Sequence, residues 1–113
     1  LFRSASIVDS SVSLAIAGLP ESVVDVGVVA WEGDAGITGD GLVLDGVPLT
    51  RGGTYPDPLN VFMSDAQGSG ILNTFGVDVG RFQPAALSAA RGTLTATTQG
   101  DQYVLGVVSV TTR

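Results

Sequence analysis

Apolar and small side chains alternate without a break from Ser11 to Ile16, with Val12, Leu14 and Ile16 falling between Ser11, Ser13 and Ala15. A period of two puts successive side chains on opposite faces of an extended chain, a pattern that a helix cannot gather on one side. The stretch therefore reads as a half-buried strand. The same period recurs from Val23 to Trp31, where Val24, Val26, Val28 and Ala30 share one face and Asp25 and Gly27 share the other. Its β-branched residues suit a pleated surface, and it reads as an inner strand of a sandwich.

Ahead of these, Ala5 and Ile7 follow the opposite phase, among Ser4, Ser6 and Val8. A bulge or bend near Asp9-Ser10 would reconcile the two phases. Gly18-Leu19-Pro20 ends the second run. Leu42–Leu44 and Val47–Leu49 flank Asp45-Gly46, the strongest hairpin signal in the chain, with Pro48 suited to an edge. Short strands are also expected over Leu59–Met63, Ile71–Phe75 and Val77–Phe82. A last hairpin is expected from Thr93–Thr98 and Gln102–Thr112 across Gln99-Gly100-Asp101. Pro84–Arg91 is the one helical candidate, with Pro at its first turn, alanines inside and Gly92 behind it. The expectation is an all-β chain of about eight or nine short strands and one short helical turn, closed as a two-sheet sandwich or jelly roll.

The chain has 113 residues, enough for a single domain over 1–113. Some 44% of residues are hydrophobic and only 14% are charged, and the mean hydropathy is positive. Part of that apolar surface is expected to lie against neighbouring subunits. The net charge of −6 excludes nucleic acid or an anionic membrane surface as partner, since both need a cationic face. No apolar run is long enough to span a membrane, so no membrane insertion is expected. Leu1 stands where a methionine would start a nascent chain, as expected after removal of a leader peptide.

Histidine, cysteine and lysine are all absent. Ser–His, Cys–His and Ser–Lys nucleophiles are thereby excluded, together with thiolate and imidazole metal ligands and with disulfide or lysine crosslinks. A carboxylate pair remains formally open, Glu32 with Asp34 or Asp40, but acids in a Gly-rich loop are first of all turn-formers. No enzyme and no cofactor are expected. Calcium is the one metal the residues could suit, through Asp34, Asp40 and Asp45 on or beside the Glu32–Gly41 loop, although their spacing matches no EF-hand. Trp31 and Tyr55 are the candidate contacts for a glycan or other small ligand.

The C-terminal half carries an ordered set of residues: Asn60 and Phe62, then Asn73, Thr74, Gly76, Asp78 and Phe82, then Gly100, Asp101, Tyr103, Gly106 and Val107. With GVVAWEGD and LDGVPLT upstream, this order resembles a domain of secreted bacterial and archaeal cell-surface proteins, over roughly residues 23–112. There an NxF…NTxGxDxxxF stretch precedes a TLTxTTxGDxYxxGVV hairpin. The resemblance implies a β-sandwich at the cell surface with no catalytic residues. In that family the domain usually heads a long multidomain chain; here a stand-alone subunit is expected.

The leading expectation is an extracellular structural subunit that forms a homo-oligomer or homopolymer, such as a pilus-like fibre or a surface sheath. Residues 1–9 would serve as an arm whose Phe2, Ala5, Ile7 and Val8 complete a neighbour's sheet. The alternatives are a calcium-assisted or carbohydrate-binding adhesion module and a virion decoration protein.

Overall fold

The computed structural model describes residues 5–8, 11–19, 23–51, 57–71, 73–82, 85–87, 91–100 and 102–112, with the backbone alone for 5–8. They form nine strands and no helix: β1 (Ala5–Val8), β2 (Ser11–Ile16), β3 (Val23–Trp31), β4 (Gly41–Leu44), β5 (Val47–Pro48), β6 (Val77–Arg81), β7 (Ala85–Ala86), β8 (Gly92–Thr97) and β9 (Gln102–Thr112). One sheet runs β1-β9-β3-β6, with β7 also on β3; the other runs β2-β8-β4-β5. All strand pairs are antiparallel.

The alternation decides what the two sheets bury between them. Val24, Val26, Val28, Ala30, Tyr103, Leu105 and Val108 from the first meet Leu42, Leu44, Leu94 and Ala96 from the second. Each fully buried Val or Leu contributes about 1.5–3 kcal/mol, so these inner faces dominate the fold's stability. The chain is the expected two-sheet β-sandwich.

The phase change ahead of β2 is a change of sheet. β1 pairs with β9 in the first sheet, Val8 opposite Gln102, whereas β2 pairs with β8 in the second, Ser11 opposite Thr97. The connection from β8 to β9 crosses between the sheets at the same end. The hairpin expected across Gln99-Gly100-Asp101 is therefore an arch, because β8 and β9 face each other through the core instead of pairing edge to edge. Trp31 lies at this arch end, opposite Val104 and Val77. The far end holds the Asp45-Gly46 turn and the pairs Ile16–Gly92 and Val24–Thr112.

Within β9 the inward residues Leu105 and Val108 break the period of two. The register with β3 shifts there: Val29 faces Val107 and Ala30 faces Leu105, leaving Gly106 as the extra residue of a bulge. The Trp31 ring lies against Gly106, where a Cβ would overlap the indole. Only glycine fits beneath it.

Three local expectations are corrected. Pro84–Arg91 is not helical where it is described: Ala85 and Ala86 pair with Val24 and Val23, and Leu87 is buried. A helix this short is marginal alone, and pairing with β3 outweighs alanine's propensity. Leu59–Met63 and Ile71–Phe75 form no strands among their described residues. The amides of Val61, Phe62 and Met63 go to carboxylates, Asp40 and Asp78, instead of to a ladder.

Candidate functional site

The loops of the arch end are held by charges placed inside the protein. Arg51 is 2% exposed, and its Nη1 sits 2.6 Å from Asp65 Oδ1 and 3.9 Å from Asp78 Oδ1. Its two terminal nitrogens also donate to the carbonyls of Val61 at 3.2 Å and Val79 at 3.0 Å. Lysine could not reach both at once; the planar guanidinium can. Asp78 Oδ1 accepts from the Met63 and Asp65 amides at 2.7 and 3.1 Å. Asp40 Oδ2 accepts from Val61 and Phe62 at 3.0 and 2.7 Å. Irregular backbone is thus satisfied by the buried carboxylates of Asp40 and Asp78, and Arg51 lies against Asp78 and Asp65.

Burial pushes the Asp78 carboxyl above the usual carboxylate range, against the pull of three backbone N–H donors (Asp65, Met63, Ser64) and of Arg51. The group has the character of a structural brace. No imidazole, thiol or lysine amine adjoins it, since His, Cys and Lys are absent from the chain.

The three acids considered for calcium are not brought together. Asp34 is exposed and accepts from the Gly36 amide of its own turn at 2.7 Å. Asp40 is buried and turned onto Val61 and Phe62. Asp45 lies at the opposite end of β4, where its Oδ1 accepts from Thr93 at 2.8 Å. Strand β4 stands between the last two, and among the described residues no group of three or more acids is arranged to hold a metal.

Trp31 is 41% exposed on the outer face of the first sheet, its ring backed by Gly106. Further down that face lies a groove of about 480 Å³ over Gly27, Val29 and Val107, flanked by the ion pair of Arg81 and Asp25 at 3.2 Å. Tyr55 and Phe2 lie outside the described residues. Of the remaining arm residues the backbone is placed: Ala5, Ile7 and Val8 pair with Leu105, Tyr103 and Gln102 on the β9 edge.

Phe75 escaped the period-two reading, which placed it in a strand. It is 95% exposed, at φ +54°, and Gly76 follows at φ +80°. Together they form a tight turn: the Val77 amide donates to Thr74 O at 3.2 Å, and the Phe75 amide to Asn73 Oδ1 at 2.8 Å. The Asn-Thr-Phe-Gly order was the available signal, because Asn and Gly at those spacings mark a turn before they mark a strand. A bulky side chain is held there in a conformation that favours glycine, and almost none of it is covered.

Comparisons with protein-family models, with curated proteins and with solved structures gave no match to this chain.

Proposed function

We propose that this chain is a non-catalytic structural subunit of an extracellular assembly, a pilus-like fibre or surface sheath, in which Ala5–Val8 of one copy completes the sheet of the next. The observation that carries this reading is the position of β1. Among the described strands it is an edge strand, bonded to β9, and its successor β2 belongs to the opposite sheet. It joins the first sheet through a main-chain ladder of four residue pairs. A neighbour's copy of the same segment would make the same ladder, so exchange costs little in contacts and joins two subunits. The surface location rests on the resemblance to secreted cell-surface domains. The absence of His, Cys and Lys accords with a role that needs no nucleophile.

Deleting residues 1–9 tests it. Loss of polymer with retention of a β-rich circular dichroism spectrum is the expected result. A truncated protein that still assembles normally rules out strand exchange, and one that fails to fold makes β1 an ordinary strand of its own domain.

A second reading is carried by Trp31. A half-exposed indole on a glycine floor, in line with a groove flanked by Arg81 and Asp25, suits a sugar ring and its hydroxyls. Quenching of the single tryptophan's fluorescence by oligosaccharides would favour this adhesion module.

A further inference from the structure

Strand β9 outruns its partner on one side. β3 follows it from Val104 to Thr112, but on the opposite edge Ala5–Val8 covers only the stretch from Gln102 to Leu105. Among the described residues no strand lies on that edge along residues 106–112. Residues 107–112 carry neither a charge nor a proline, the usual guards of a bare edge. The second sheet ends on β2. Between β2 and this stretch of β9 is a cleft of about 390 Å³, walled by Leu14, Ile16, Leu19, Leu94, Val108 and Val110. Every residue lining it is apolar, and Leu14, Ile16, Leu19 and Val110 are only partly buried. One more extended segment beside β9 would close the sandwich here.

We infer that this cleft is the seat of residues 1–4, the segment preceding β1, and that in the assembly it arrives from the neighbouring copy together with Ala5–Val8. Chain direction selects this occupant. β1 runs antiparallel to β9, with Val8 opposite Gln102 and Ala5 opposite Leu105, so a chain entering β1 in line comes along the edge of residues 106–112. A strand rises about 3.4 Å per residue, and four residues continue the ladder by about 14 Å. Counted straight on, Phe2 falls opposite Val108; counted with Gly106 passed over, as β3 passes it, Leu1 falls opposite Val110. Either count brings a large apolar residue to a valine of the cleft wall. An arginine such as Arg3 can lay its apolar stem along such an edge and keep its guanidinium in water. The ladder supplies affinity, and the cleft is the pocket that selects the arm. The inference rests on the assembly reading above only for which copy supplies the segment.

The chain has no cysteine, so a pair of introduced cysteines reports one contact. Leu14→Cys is combined with Leu1→Cys in one chain and with Phe2→Cys in another, and each is oxidised mildly. The expected result is a disulfide between chains in at least one of the two, seen as a covalent ladder on a denaturing gel. The ladder should be lost when Ser13→Cys, at an exposed position of β2, replaces Leu14→Cys. No disulfide in either chain, or an equal one from Ser13→Cys, overturns the cleft as the seat, whether or not the protein assembles. A disulfide confined within single chains keeps the cleft as the seat and overturns delivery by a neighbour, so that the assembly reading falls alone. Hydrogen exchange, in wild type and in a chain lacking residues 1–4, gives a second readout. Amides of residues 107–112 on the open side of β9 should exchange about tenfold or more faster in the shortened chain, with the β3 ladder unchanged. Equal rates overturn the inference.

Discussion

The Tyr103 hydroxyl donates to the carbonyl oxygen of Thr97 at 2.8 Å, tying the first sheet to the second across the arch between β8 and β9. The Tyr103 ring packs against Phe62, centroids 4.7 Å apart and planes tilted by 47°. Tyr103→Phe keeps the ring and removes the tie. Stability should fall by about 1 kcal/mol, the net worth of one hydrogen bond. The check is a lower urea midpoint at unchanged slope; an unchanged midpoint would mean that the arch is held by packing alone.

Arg51 stands against two buried carboxylates, Asp65 and Asp78. Arg51→Met leaves both without a cation, and removing one partner of a buried ionic group typically costs about 3–5 kcal/mol. Chemical denaturation should show a loss of that order. A loss below about 1 kcal/mol would place these carboxylates in contact with water, where charges are screened.

These charges also mark where sequence reasoning stopped. The faces of β2 and β3 were readable because alternation is local, and the Asp45-Gly46 turn because its chemistry is local. Asp45 and Gly46 take φ values of +49° and +83°, as a two-residue hairpin requires. The partner of β8 was not readable. A turn of Gln99-Gly100-Asp101 serves a hairpin or an arch equally well, and the choice depends on which distant faces meet. The roles of Asp40 and Asp78 were hidden for the same reason: the amides they accept from lie 21 and 22 residues away for Asp40, and 13 and 15 for Asp78. Of the candidate site, the extended character of Ala5–Val8 was legible but not its partner β9, and the calcium grouping depended on a proximity that β4 prevents.

Gly46→Val should destabilise by about 1 kcal/mol or more, because a β-branched residue resists positive φ. Phe75→Gly should do the reverse and raise the urea midpoint. The turn already has φ +54° at Phe75, and the side chain gives up little burial when removed. A lower midpoint in Phe75→Gly would mean that the ring contributes to the fold of its own subunit.

The raised carboxyl of Asp78 gives stability a signed dependence on pH. Its folded-state value lies above its ordinary 3.8, so the folded protein binds this proton more tightly than the unfolded chain does. That contribution is fully present below the ordinary value and is lost as pH rises through the folded-state value. Asp78→Asn cannot titrate and keeps an acceptor oxygen for Met63 and Asp65. Followed by urea midpoints from about pH 3 to about pH 7, the variant should gain on wild type as pH rises. A difference that stays constant, or moves the other way, contradicts burial as the dominant influence on Asp78.

Negative-stain microscopy of the purified chain, at rising concentration and without additives, tests the claim of a self-assembling subunit most directly. Regular filaments or sheets, with a repeat close to the 37 Å long dimension of the subunit or to one of its shorter ones, 29 and 23 Å, are the predicted result. Dispersed single particles at every concentration would contradict it and shift the weight to the ligand face around Trp31.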